Sequence, residues 1–217
     1  MDYKKVYTED YFSGKNSFFY SHGYENVPGP YFSSMYRPLK PYLAKIQRGK
    51  VLDVGCAYGF MLEKFPDTFE KYGIDVSEHA ILEARKRLPD ALLTVGGAEE
   101  KLPFPDDYFD VIMTNDVLEH LENPKAALEQ MCRVLKTGGI LYINIPNLNW
   151  ARRTFFADAD RKEHHISLMT RVELLDMVKE LGFTVINHWT FITFPFFFFP
   201  SFRSNMGIET ACVIRKN

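Results

Sequence analysis

The chain has 217 residues, with 26 Lys and Arg against 28 Asp and Glu, 46% hydrophobic and 25% charged residues. That length suits one elaborated α/β domain, and the composition excludes a disordered or membrane-embedded body. The near-balanced charge leaves no footprint for bulk nucleic-acid binding, so no nucleic-acid partner is expected. Cys56, Cys132 and Cys212 are too few and too far apart for a disulfide framework or a cysteine-based zinc site. The opening MDYKKVYTEDYF has neither the apolar run nor the small-residue cleavage site of a secretory signal, and a cytoplasmic location is expected.

Residues 1–48, rich in Tyr, Phe, Gly and Pro with little periodicity, read as an N-terminal appendage or lid, and residues 49–217 as the main domain. Short apolar runs at 51–55, 71–76, 91–95, 109–115 and 140–146 read as strands separated by helix-compatible sequence. Asn123 before Pro124 reads as an N-cap, and the apolar spacing carries the helix through Leu135 to a stop at Gly138-Gly139. Thr170 and Glu173 form a capping box that opens a helix ending at Gly182. Runs 183–192 and 208–216 then pair as an antiparallel ribbon. The pattern predicts a doubly wound, mostly parallel, seven-stranded Rossmann-like α/β sheet with an antiparallel last strand. Ligands of such sheets bind beyond the carboxyl ends of the strands.

The first strand runs into Asp53-Val54-Gly55-Cys56-Ala57-Tyr58-Gly59, where glycines allow a tight turn and close approach of a ligand. The spacing is not the G-x-G-x-x-G of a dinucleotide site, and Asp53 would repel a pyrophosphate while suiting a cation. Asp75, 22 residues after Asp53, ends the second strand, where a carboxylate can accept hydrogen bonds from both ribose hydroxyls. Taken singly, each acid can equally cap a following helix.

With LDVGCAYG, GIDVSEHAI, AEEKLPFPDDYFDVI, NDVLEHL and LKTGGILYINIPN in that order, residues 50–216 resemble the class I S-adenosylmethionine-dependent methyltransferases. The likeness is to their small-molecule branch, which includes quinone- and sugar-modifying enzymes. The resemblance implies S-adenosylmethionine as cofactor. It places Asp53, Gly55, Cys56, Ala57 and Gly59 on the methionine side, Asp75 and Val76 at the ribose, and Ala98 and Glu99 at the adenine. Asn115, Asp116 and Val117 close the site from the fourth strand. Ala57 departs from the glycine common in the family; its methyl group is mild at negative φ and costly at positive φ.

Methyl transfer needs a nucleophile held in line with the carbon–sulfur bond, and a base only when the acceptor is a poor nucleophile. No metal is required. His120, His164 and His165 are the catalytic candidates, the last two because a histidine before the last long helix commonly faces the acceptor in the resembled family. Loop orientation is the competing role for all three. Tyr11-Phe12, Tyr20 and the 24–36 region can cover the cofactor or simply pack on the sheet. The basic Arg152-Arg153 and Arg161-Lys162 can meet an anionic acceptor or form a solvated face. The expected reaction is methyl transfer to a small-molecule acceptor, a sugar or lipid-linked intermediate being preferred. A nicotinamide-dependent oxidoreductase and a non-catalytic S-adenosylmethionine-binding domain are the alternatives. Phe196–Phe199, bracketed by Pro195 and Pro200, suggest either a buried or homodimeric contact or peripheral membrane contact.

Overall fold

The computed structural model describes residues 2–192, 202–203 and 207–217. Its sheet comprises β1 (Gly49–Val54), β2 (Phe69–Asp75), β3 (Leu92–Val95), β4 (Phe109–Asn115), β5 (Leu135–Pro146), β6 (Phe183–Ile192), β7 (Phe202–Arg203) and β8 (Glu209–Lys216). The strand order is β3-β2-β1-β4-β5-β8-β6-β7. Strands β1 to β5 pair in parallel, whereas β8 runs antiparallel to both β5 and β6. The two-residue β7 only extends the outer edge of β6, so the expected seven strands make up the body.

The inner stretches of the central strands are buried and mostly apolar because both faces of the sheet are covered. On one face Leu52, Val54, Ile112 and Leu141 pack with Leu128, Met131, Leu174 and Val178, contributed by α7 (Pro124–Val134) and α10 (Arg171–Glu180). On the other, Val51, Val111 and Tyr142 meet α3 (Gly29–Tyr36), α4 (Lys40–Ile46), α5 (Phe60–Glu63) and α6 (Glu78–Arg87) through Phe32, Met35, Leu43, Leu62 and Ile81. Before these come the short α1 (Tyr3–Val6) and α2 (Glu9–Phe12), and after β5 come α8 (Trp150–Phe155) and α9 (Ala157–Lys162).

The sequence signals for helix starts act as expected. Asn123 Oδ1 accepts from the Ala126 amide at 3.1 Å, and Thr170 and Glu173 make both bonds of the capping box. The stop of α7 is a correction. The helix ends at Val134, not at Gly138-Gly139, because Leu135 pairs with Phe109 and starts β5. Residues 136–139 then leave the ladder before Ile140 rejoins it opposite Val111, with Gly138 at φ +79°. A long-range strand pairing thus overrides local helical spacing. Among the described residues no helix is long and apolar enough to cross a membrane. The Phe196–Phe199 run, which carries the expectation of membrane or dimer contact, lies outside the described residues.

Candidate active site

Strands β1 and β4 are neighbours from which the chain winds outward in opposite directions, and the crevice at their carboxyl ends is where such sheets bind ligands. A cleft of about 1040 Å³ opens there, lined by Asp53, Gly55, Cys56, Ala57, Asp75, Val76, Ala98, Asn115, Asp116, Val117 and His120. Gly55 has φ +78°, and a Cβ there would lie 2.2 Å from Val117 Cγ2, so only glycine lets the loop pass beneath the fourth-strand segment. Gly59, the remaining loop glycine, is the left-handed N-cap of α5 and does not line the cleft.

Asp75 and Asp53 differ in how they are held. Asp75 accepts from the amides of Ala57 at 2.8 Å and Ser77 at 2.9 Å, so it ties the glycine loop to the start of α6. Burial nevertheless raises its pKa above the ordinary carboxylate value. Asp53, 2% exposed, has its Oδ1 buried without a partner. Burial first, and then the charge of Asp75, push its pKa well up. An unpartnered buried carboxylate beside a glycine loop suits a cationic amine. Both side-chain polar atoms of Asn115 are likewise buried and unpartnered.

The structure places the other predicted residues unevenly. Ala57 has φ +44°, the costly case, although its methyl group packs with Tyr11, Phe12, Tyr58 and Ala80. Glu99 does not line the cleft: its carboxylate accepts from Tyr3 Oη at 2.7 Å and from the Asn123 amide, fastening α1 to the adenine-side loop. Asp116, at φ +52°, accepts from Tyr31 Oη at 3.3 Å, and its amide donates to the Asn144 carbonyl at 2.9 Å. His164 is exposed, with φ +60°, and lines neither this cleft nor its neighbour.

A second cavity of about 1350 Å³ adjoins the first, and Tyr11, Tyr20, Tyr31, Asp116 and His120 line both. Phe18, Phe19, Val27, Pro28, Phe156 and Ile208 give it an apolar lining, whereas Arg152, Glu119, His165 and Glu209 make a polar end. His120 is buried, and desolvation, helped by His165, pulls its pKa down to about 3, so the ring is neutral. His165 Nδ1 is 2.8 Å from Asp160 Oδ1. Burial raises the pKa values of Asp116, Glu119 and Glu209, which share this end.

Arg152 is where a surface reading of the basic tract fails. It is 1% exposed and holds Asp160 through Nε and Nη2, Glu209 through Nη1 at 3.2 Å, and the Ile208 carbonyl. Arg153 and Arg161 are exposed, as that reading expects. The sequence also gave no reason to single out Glu163, which is 1% exposed. It accepts from Tyr11 Oη at 2.9 Å, Ser17 Oγ at 2.8 Å and the amides of Phe18 and Phe19. The partners lie at least 144 positions away, so no local pattern could have shown them.

A parallel sheet reversed at its last strand, a glycine loop under the β1–β4 crevice and acids at the carboxyl ends of β1 and β2 define the Rossmann-like fold on which methyltransferases are built. Comparison with known proteins agrees. A family model described as a methyltransferase domain matches residues 31–188, and the chain belongs to that family, the class I S-adenosylmethionine-dependent methyltransferases. An uncharacterized protein of Methanocaldococcus jannaschii is 33% identical over 142 residues, covering 64% of this chain and 66% of that protein. The ubiquinone/menaquinone biosynthesis C-methyltransferase UbiE of Chromobacterium violaceum is 38% identical over 101 residues, or 43% of this chain and 41% of UbiE. The matched regions thus span from about two fifths to just under two thirds of these relatives. In fold the chain is similar to a SAM-dependent methyltransferase of Thermotoga maritima, with TM-score 0.70, 22% identity and coverage of 86% and 89%. It is also similar to the PH0226 protein of Pyrococcus horikoshii, with TM-score 0.64, 22% identity and coverage of 100% and 99%.

Proposed function

We propose that this chain transfers a methyl group from S-adenosylmethionine to a small molecule seated in the second cavity. The observation that carries this reading is the wall shared by the two cavities, where Tyr11, Tyr20, Tyr31, Asp116 and His120 border both. The cofactor supplies an electrophilic methyl group on a sulfonium. Asp53 receives its amino group, Asp75 its ribose hydroxyls, and the small residues Gly96, Gly97 and Ala98 leave room beside β3 for its adenine. The chain's own part is to orient the acceptor and exclude water, and positioning of this kind supplies about 7–11 kcal/mol in favourable cases.

Helices α1 to α3 form a lid in this reading, since Tyr3, Tyr7, Tyr11, Phe12, Tyr24 and Phe32 all line the cofactor cleft. The aromatic lining of the second cavity favours an acceptor with a flat or apolar ring, and the name of the UbiE relative points to quinone precursors. A sugar would need to lay a C–H face on these rings and turn its hydroxyls to the polar end at Arg152, Glu119, His165 and Glu209, and a lipid-linked acceptor would lay its chain along the apolar lining. His165, with Nδ1 held by Asp160, is the proton-accepting group available to a hydroxyl acceptor when its Nε2 carries no other ligand, whereas burial makes His120 too weak a base for that task. Calorimetric titration with S-adenosylhomocysteine and with NAD tests the cofactor: the first binds and the second does not. Release of S-adenosylhomocysteine in separate pools of quinone precursors, sugar nucleotides and lipids then identifies the acceptor. Turnover in no pool, with tight cofactor binding, would leave a non-catalytic binding domain.

A further inference from the structure

At the polar end of the second cavity, Glu119, His120 and His165 bring three ligand-capable side chains within 4.8 Å of one another. Glu119-His120 follows β4, and His165 arrives from the segment between α9 and α10, which is why the sequence shows no metal-ligand spacing. Nε2 of His120 lies 3.9 Å from Oε1 of Glu119, and Nε2 of His165 lies 4.0 Å from the same oxygen. The imidazole rings meet edge to face with centroids 4.7 Å apart.

Two observations separate this cluster from a packed histidine pair. Glu119 is 1% exposed, yet neither of its carboxylate oxygens has a hydrogen-bond partner, and Nδ1 of the buried His120 is also unpartnered. Buried polar groups are ordinarily hydrogen-bonded, and a carboxylate that is ionised in such a place is paired or bound to metal. The nearby cation, Arg152, is engaged by Asp160 and Glu209 and makes no hydrogen bond to Glu119. The second observation concerns His165, whose Nδ1 donates to Asp160 Oδ1 at 2.8 Å. A carboxylate on one imidazole nitrogen fixes the tautomer and leaves the other nitrogen's lone pair for a metal. Here that nitrogen is the one beside Glu119.

We propose that Glu119, His120 and His165 bind a divalent first-row transition ion whose open coordination positions face the second cavity. Two imidazoles and a carboxylate suit Zn²⁺, Mn²⁺ or Fe²⁺ better than Mg²⁺ or Ca²⁺, which favour oxygen ligands. Bonds of about 2.1 Å place tetrahedral ligand atoms about 3.4 Å apart, so binding closes the cluster by roughly half an ångström to somewhat over one. The open positions take an oxygen of the acceptor; this role rests on the methyl-transfer reading, whereas ion binding does not.

The test titrates the metal-stripped full chain with Zn²⁺ by calorimetry, and separately follows S-adenosylhomocysteine binding. The expected result is one equivalent of Zn²⁺ bound, with affinity at least about 100-fold lower in Glu119→Gln and in His165→Gln. Asp160→Asn, which keeps the ligands and removes the orienting carboxylate, loses about 10- to 100-fold. Zn²⁺ raises the Tm of the wild-type chain, a readout that does not depend on the variants folding, and Co²⁺ added in its place gives visible absorption bands whose intensity reports a four- or five-coordinate site in place of the hydrated ion. Failure of the wild-type chain to bind Zn²⁺ stoichiometrically, or wild-type affinity in a folded Glu119→Gln, overturns the proposal. Zn²⁺ binding without S-adenosylhomocysteine binding keeps the metal site and sinks the methyl-transfer reading; the converse result does the opposite.

Discussion

Ala57 sits at φ +44°, where an L-residue pays about 1–2 kcal/mol that glycine does not. Its methyl group is buried against Tyr11 and Phe12, which returns about 0.8 kcal/mol. Strain therefore outweighs burial, and Ala57→Gly is expected to stabilise the fold by about 0.2–1.2 kcal/mol, read from the urea midpoint. A clear loss of stability would show that the aromatic contact dominates. Asp53 offers a proton-linkage test. Its carboxyl has a pKa raised well above 3.8, and under the assignment proposed above the cofactor's amine selects the ionised form. Binding then expels a proton wherever the free protein holds one. Affinity for S-adenosylhomocysteine should accordingly climb from about the ordinary carboxylate value up to the raised pKa, then level off. Asp53→Asn should flatten that rise. A wild-type affinity constant across the acidic range contradicts the amine assignment. Asp75→Ala should weaken the same ligand by about 1.5–3 kcal/mol, since it removes a buried charged acceptor; unchanged affinity in a folded variant removes the ribose assignment.

The N-terminal helices, proposed above as a lid, are held less by their own helix propensity than by one acid from the far side of the chain. Helices α1 and α2 have four residues each, too short to persist alone in water. Glu163, just past α9, gathers Tyr11, Ser17, Phe18 and Phe19 onto the body. Glu163→Ala leaves several buried donors unpaired, at about 1–3 kcal/mol each. The amides of Phe18 and Phe19 should then exchange with deuterium about 10- to 100-fold faster, while those of β1 and β4 keep their protection. Equal acceleration everywhere would mean that Glu163 supports global stability instead of the lid. The α7–β5 junction obeys the same logic of distant partners: helical spacing continues through Leu135, but Phe109 captures that residue's backbone into the sheet.

For the whole molecule, the cofactor cleft lies where the sheet, the glycine loop and the N-terminal helices meet, so ligand binding couples to global unfolding. At a concentration of about 100 times Kd, S-adenosylhomocysteine should add about 2.7 kcal/mol of stability. For a chain of this size that is a Tm rise of about 5–10 °C in a thermal melt. NAD at the same concentration should leave Tm unchanged. An equal rise with NAD would reopen the dinucleotide alternative.

The seven main strands, the reversal of the last one, the caps at Asn123 and Thr170, and the position of Asp53 and Asp75 at the carboxyl ends of their strands were legible because each signal is local. Buried parallel strands read as apolar runs, caps sit beside their helices, Asp53 lies one residue before the end of β1 and its glycine turn, and Asp75 ends β2 ahead of α6. Position 57 was legible as a choice between two backbone conformations, and only the folded loop fixed its φ. The burial of Arg152, the staple at Glu163 and the meeting of Glu119 with His120 and His165 were decided by tertiary structure alone. In each case the partners come from separate elements packed around one cavity, and a charge that looks solvated in sequence becomes buried when those elements close over it.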